Sequence, residues 1–150
     1  MPSITSSFRG VMLLALAYAL LGEAGLMLAI PPGYASPVFP SSGLALACVL
    51  WFGVRVLPGV WLGSLLLNLA NGSLNGTLSQ TSVLAAIVIA CGATLQAFVG
   101  CWLVRSRLGD SWRDMEREQD VFLFLILGGV LAGLLSASIG VTGLYALGAI

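Results

Sequence analysis

From Ser82 to Val104 the chain carries no charged side chain. A helix of that length, rising 1.5 Å per residue, crosses the ~30 Å hydrocarbon layer of a bilayer. Further apolar runs occupy Val11 to Ile30, Gly43 to Val54, Val56 to Ala70 and Val121 to Leu147. They are divided by Pro, Gly and Asn more than by charge, which leaves no room for a soluble domain between them. With 59% hydrophobic and 8% charged residues among 150, the chain has too little polar surface to cover a water-soluble fold. The sequence therefore predicts one all-α domain over 1–150, a polytopic transmembrane helical bundle of about five helices with the lipid bilayer as its solvent.

The run from Val11 to Ile30 exceeds the apolar region of a signal peptide, and Ile30-Pro31-Pro32 is a poor cleavage site, so it reads as a retained first helix. Pro31, Pro32, Pro37 and Pro40 keep the next segment out of helical geometry until Ser41 or Ser42 can cap a second helix. The second and third helices are short for full spans, which leaves open a thinned bilayer or a re-entrant hairpin. Asn71-Gly72 and Asn75-Gly76 predict a turn over Asn71 to Thr77. Between the fourth and fifth spans, Asp110 to Asp120 is expected to form a short amphipathic helix with Leu108, Trp112, Met115 and Gln119 against the membrane surface.

All six basic residues are Arg: Arg9, Arg55, Arg105, Arg107, Arg113 and Arg117. Threading five spans puts every one on the same side, while the opposite loops, Pro31 to Ser41 and Asn71 to Thr81, are uncharged. This asymmetry predicts a cytoplasmic N-terminus. Trp51, Trp61 and Trp102 fall toward the arginine side, as an interfacial aromatic belt does.

Glu23 is the only acidic residue within a span. A carboxylate there costs on the order of 2–3 kcal/mol or more if it meets lipid, so it is expected to face protein or water. Fixing helix packing and sensing a ligand or proton are equally open roles. Gln96 shares a helical face with Gly92 and Gly100, which suits a polar group in a small-residue groove, and a hydrogen bond from Gln96 to Glu23 is compatible with the sequence. Tyr34, Ser36, Ser41, Ser42 and Asn68 complete the ligand-binding or sensing candidates. Gly59 and Gly63 in the third span, and Gly129, Gly133 and Ala137 at spacing four in the fifth with Ala132, Ser136 and Gly140 beside them, are expected to make close helix contacts, within the chain in preference to between subunits.

Cys48, Cys91 and Cys101 lie in apolar runs without Cys-x-x-Cys spacing and read as packing residues. The chain has no His, no phosphate-binding glycine loop and no paired intramembrane carboxylates, so neither a catalytic site, a metal site nor a cofactor is expected. Zero net charge and the absence of a basic patch argue against nucleic-acid binding.

Ile30-Pro-Pro-Gly-Tyr-Ala-Ser-Pro-Val-Phe-Pro-Ser-Ser-Gly-Leu-Ala-Leu-Ala47, then Phe52-Gly-Val-Arg-Val-Leu-Pro-Gly59, Leu62-Gly-Ser64 and Gly92-Ala-Thr-Leu-Gln-Ala97 resemble the first subclass of bacterial membrane-associated sensor domains of the MASE type. The likeness covers nearly the whole chain and departs from the pattern at Gly92 and Gln96, where Asn and Glu are more usual. It implies a multi-pass domain of the bacterial inner membrane that serves as the input of a histidine kinase or a cyclic di-GMP enzyme, with the downstream C-terminal signalling domain as its partner. Ile150 falls inside an apolar stretch before the family's remaining helices, so an incomplete C-terminus is expected. A fragment of a small-molecule transporter or channel is one alternative. A membrane scaffold, acting as a homodimer or with a partner membrane protein, is another.

Overall fold

A computed structural model describes residues 4–27, 39–76, 78–109, 111–115 and 117–148. Every regular element among them is helical. The first helix, α1, spans Ile4–Leu26, and α2 spans Pro40–Phe52. After a single 3-10 turn over Val54–Val56 comes α3, Leu57–Leu74, and then α4, Gln80–Leu108. The fifth span begins as α5, Glu118–Phe124, continues through a π-helical stretch at Leu125–Leu131 and ends as α6, Ala132–Ala146.

Four of these helical stretches are long and apolar enough to cross a membrane, and α2 is a shorter apolar helix. Large apolar side chains such as Leu20, Leu66, Trp102 and Leu134 lie on the outside. That is how a bundle solvated by lipid is built, because lipid tails receive such side chains as readily as a core does.

Several boundaries differ from those the sequence predicts. α3 runs four residues beyond Ala70, so Asn71-Gly72 is helical and only Asn75-Gly76 makes the turn, with Gly76 taking a φ of 65°. Helical hydrogen bonding continued by Asn71, whose carbonyl oxygen accepts from the Asn75 amide group, outweighs the turn preference of one Asn-Gly pair. α4 starts at a reciprocal Ser79–Ser82 capping box and extends to Leu108. The segment expected as one amphipathic helix from Asp110 is instead broken: a 3-10 turn occupies Ser111–Arg113, and Gly109 and Met115 both adopt positive φ. Ser41 and Ser42 do not cap α2 as acceptors. Phe39 holds the cap position, Pro40 takes the first turn, and the Ser42 hydroxyl donates to the Phe39 carbonyl oxygen at 2.8 Å.

Helix neighbours follow from small residues. A Cβ on Gly59 would lie 2.7 Å from the Val11 carbonyl oxygen, and one on Gly63 would lie 2.7 Å from that of Ala15. α1 and α3 therefore touch backbone to backbone and run parallel. α4 lies against α2 and α3 and carries the fifth span on its outer flank. Leu46 meets Gly100 and the Leu50 carbonyl oxygen accepts from Arg105, so α2 runs parallel to α4. This register gathers Arg9, Arg55, Arg105 and Arg107 at one end of the bundle, with Arg113 and Arg117 in the connection at that end.

Candidate functional site

Among the described residues the bundle interior is apolar except at one depth. Tyr18 is 2% exposed, and Ser41 and Ser64 are 0% and 2% exposed. The Ser41 hydroxyl donates to the Tyr18 carbonyl oxygen at 2.9 Å, and the Tyr18 side chain hydrogen-bonds that of Ser64. One turn along α3, the Asn68 amide nitrogen donates to the Ser64 carbonyl oxygen at 2.8 Å. The Phe39 ring stands edge-on to Tyr18 with centroids 6.3 Å apart. Three helices thus meet in a small hydrogen-bonded layer. Hydroxyl groups in a medium without water must find partners in protein or lose about 1–3 kcal/mol each, which makes this layer sensitive to helix position.

The layer lies deep. Tyr18 is nine residues past Arg9, about 14 Å along a helix axis, close to the mid-plane of a ~30 Å hydrocarbon slab. Ser41 opens α2 at that same level, so α2, with 13 residues, or about 20 Å, occupies only the half of the bundle on the arginine side. Gly63 explains why Tyr18 fits: any Cβ there would lie 2.8 Å from the Tyr18 Cβ. The far end of α2 is tied to α4, with Arg105 Nη2 donating to the Leu50 carbonyl oxygen at 2.5 Å.

The sequence-predicted residues divide around this layer. Ser41 and Asn68 belong to it. Ser42 is spent on the start of α2. Tyr34 and Ser36 lie outside the described residues. Glu23 is half-buried on α1, just past Gly22, which packs against the Leu67 side chain of α3; its side chain makes no hydrogen bond to a described residue. Gln96 is half-buried at about the depth of Ser41, given the Leu50–Arg105 register, but on the flank of α4 that faces the fifth span. α1 packs on α2 and α3 while α4 packs on α2, α3 and the fifth span, so the expected Glu23–Gln96 hydrogen bond is not formed.

The packing glycines divide too. Gly92 lies against Ser136 and Ile139, and Gly100 against Leu46 and Ala132. Around Gly129, Gly133 and Gly140 no other described part of the chain comes within 4 Å of a Cβ, and the inward role falls to Gly128, against Leu46, and Gly143, against Val88. Tyr18 and Ser64 were not among the sequence candidates. Tyr18 sits in an otherwise apolar run and Ser64 beside the Gly59/Gly63 pair, and only the α1–α3 register brings them together. Among the described residues no group of His, Cys, Asp or Glu could hold a metal ion, so the layer's chemistry is hydroxyl and amide hydrogen bonding.

The MASE1 family model matches residues 11–150. No curated protein and no solved structure matches the chain.

Proposed function

This chain belongs to the MASE1 family of membrane-associated sensor domains, and from that premise we propose that its Tyr18–Ser41–Ser64 layer is the sensing element of an input module in the bacterial inner membrane. The module regulates a histidine kinase or a cyclic di-GMP enzyme linked to it. What carries the reading is the buried set of partnered hydroxyl groups at mid-depth, the one such set among the described residues, placed where a half-length helix begins.

A stimulus that alters the hydrogen bonds of this layer shifts the start of α2 against α1. α2 moves as a unit, because Leu46 is wedged against Gly100 and Gly128, and its opposite end carries Arg105 through the Leu50 carbonyl oxygen. The signal thus reaches the arginine end, where the domain meets its output. Such a switch needs two packings close in energy that the stimulus biases, and a few hydrogen bonds of modest net strength meet that need.

Tyr18→Phe and Ser41→Ala in the full-length gene product test this. Each is expected to change the basal output of the linked enzyme in membranes or its response to stimulus, at unchanged membrane abundance. Output indistinguishable from wild type in both variants would remove the sensing role from the layer. The Glu23→Gln variant separates the remaining question at that position: a changed response assigns Glu23 to sensing, and an unchanged one assigns it to packing.

A further inference from the structure

The arginine end carries a second constellation that the sensing layer does not use. Gly109 ends α4 with φ 55°, and the chain then folds Trp112 back until it is 7% exposed. Its ring stands edge-on to Trp51, with centroids 5.9 Å apart at 82°. The guanidinium carbons of Arg105 and Arg113 lie 6.0 Å and 5.4 Å from the centroid of the same ring. Arg105, Gly109, Trp112 and Arg113 line a cleft of about 300 Å³.

Two guanidinium groups held over one indole repel each other unless an anion joins them. Among the described residues neither forms an ion pair. Arg105 commits one donor to the Leu50 carbonyl oxygen, and a guanidinium has five. The remaining donors suit a tetrahedral oxyanion, which arginine binds through paired N–H groups. The surroundings specify the source of that anion. Trp102, one turn before Arg105 on α4, is 62% exposed, and Trp51, which touches Trp112, is 71% exposed, so acyl chains attached to a phosphate in the cleft have apolar surface to lie along. Basic pockets between transmembrane helices at the interface are suited to anionic headgroups in this way.

We propose that the Arg105–Trp112–Arg113 cleft binds the phosphate of an anionic phospholipid headgroup from the leaflet at the arginine end. Bound there, the lipid joins the end of α4 to the connection leading into the fifth span and sets the position of the Leu50–Arg105 contact.

The test uses the full-length protein purified in nonionic detergent and titrated with phosphatidylglycerol, phosphatidylcholine or inorganic phosphate, with retained lipid read by native mass spectrometry and the unfolding midpoint read in parallel. Phosphatidylglycerol is expected to be retained and to raise the midpoint, and phosphatidylcholine is not. Arg113→Gln, at an exposed side chain with no hydrogen bond to a described residue, is expected to weaken phosphatidylglycerol retention about tenfold or more, the effect of losing one charge-assisted pair, and Arg113→Lys less. Wild-type retention in Arg113→Gln overturns the assignment, as does equal retention of phosphatidylcholine. Displacement of phosphatidylglycerol by equimolar inorganic phosphate also overturns it, by making a free anion the ligand.

Discussion

Tyr18 is the residue on which the interior turns. Its backbone carbonyl oxygen receives Ser41, its side chain hydrogen-bonds Ser64, and its ring packs against Phe39. Tyr18→Phe keeps the ring and removes one hydroxyl, so it is expected to cost about 1 kcal/mol and lower the unfolding midpoint by about 2–4 °C in detergent. Ser41→Ala is expected to cost less, since the Tyr18 carbonyl oxygen lies within α1, where the helix supplies a donor of its own. A larger loss in Ser41→Ala than in Tyr18→Phe would mean that the α1–α2 joint depends on the serine more than on the aromatic contact. By composition this layer was half legible: Ser41 and Asn68 follow the proline-broken segment and the end of a span, but nothing local marks a tyrosine inside an apolar run as buried and partnered.

Small residues decide which faces of the helices meet. Gly59 and Gly63 place α3 directly on the α1 backbone, so Gly63→Ala forces the two helices apart and is expected to destabilise by about 1–2 kcal/mol after the helix-propensity gain of alanine is subtracted. Gly133→Ala, with open space around it, is expected to be neutral or slightly stabilising. Equal losses in both variants, measured by thermal unfolding, would show that a partner covers the outer stripe. Spacing alone could not separate the stripes of the fifth span. Gly128, Ala132 and Gly143 face the bundle while Gly129, Gly133 and Gly140 do not; Gly128 and Ala132 each lie one residue before an outward glycine, a rotation of about 100°, and Gly143 lies three residues after Gly140. The π-helical stretch over Leu125–Leu131 shifts the phase of the helix at that very point, which no repeat of four can anticipate.

For the whole molecule, the consequence is a sided bundle. Cysteines introduced at Gly76 and at Arg113, in a background lacking Cys48, Cys91 and Cys101, are expected to label from opposite faces of the membrane, with Arg113 accessible from the cytoplasm. Labelling of both from one face contradicts the five-element path, and labelling of Arg55 and Arg113 from opposite faces contradicts the clustering of the arginines. The half-length of α2 is also a property of the whole. Its 13 residues are too few to cross a bilayer, and it packs on α1 and α4, where a helix can begin at mid-depth within protein, with the Ser41 and Ser42 hydroxyls hydrogen-bonded.

Run length and charge placement were enough to read the membrane solvent, the spans and the collection of all guanidinium groups at one end, because each depends on how many apolar residues follow one another and on which breaks carry charge. The register between helices belonged to tertiary structure alone. In lipid the outward and inward faces of a helix are equally apolar, so hydrophobicity does not point side chains inward. Only close contact at small residues, against the α1 backbone at Gly59 and Gly63 and against the Leu46 side chain at Gly100 and Gly128, sets the depth at which Tyr18 finds Ser64 and Trp112 comes under two arginines.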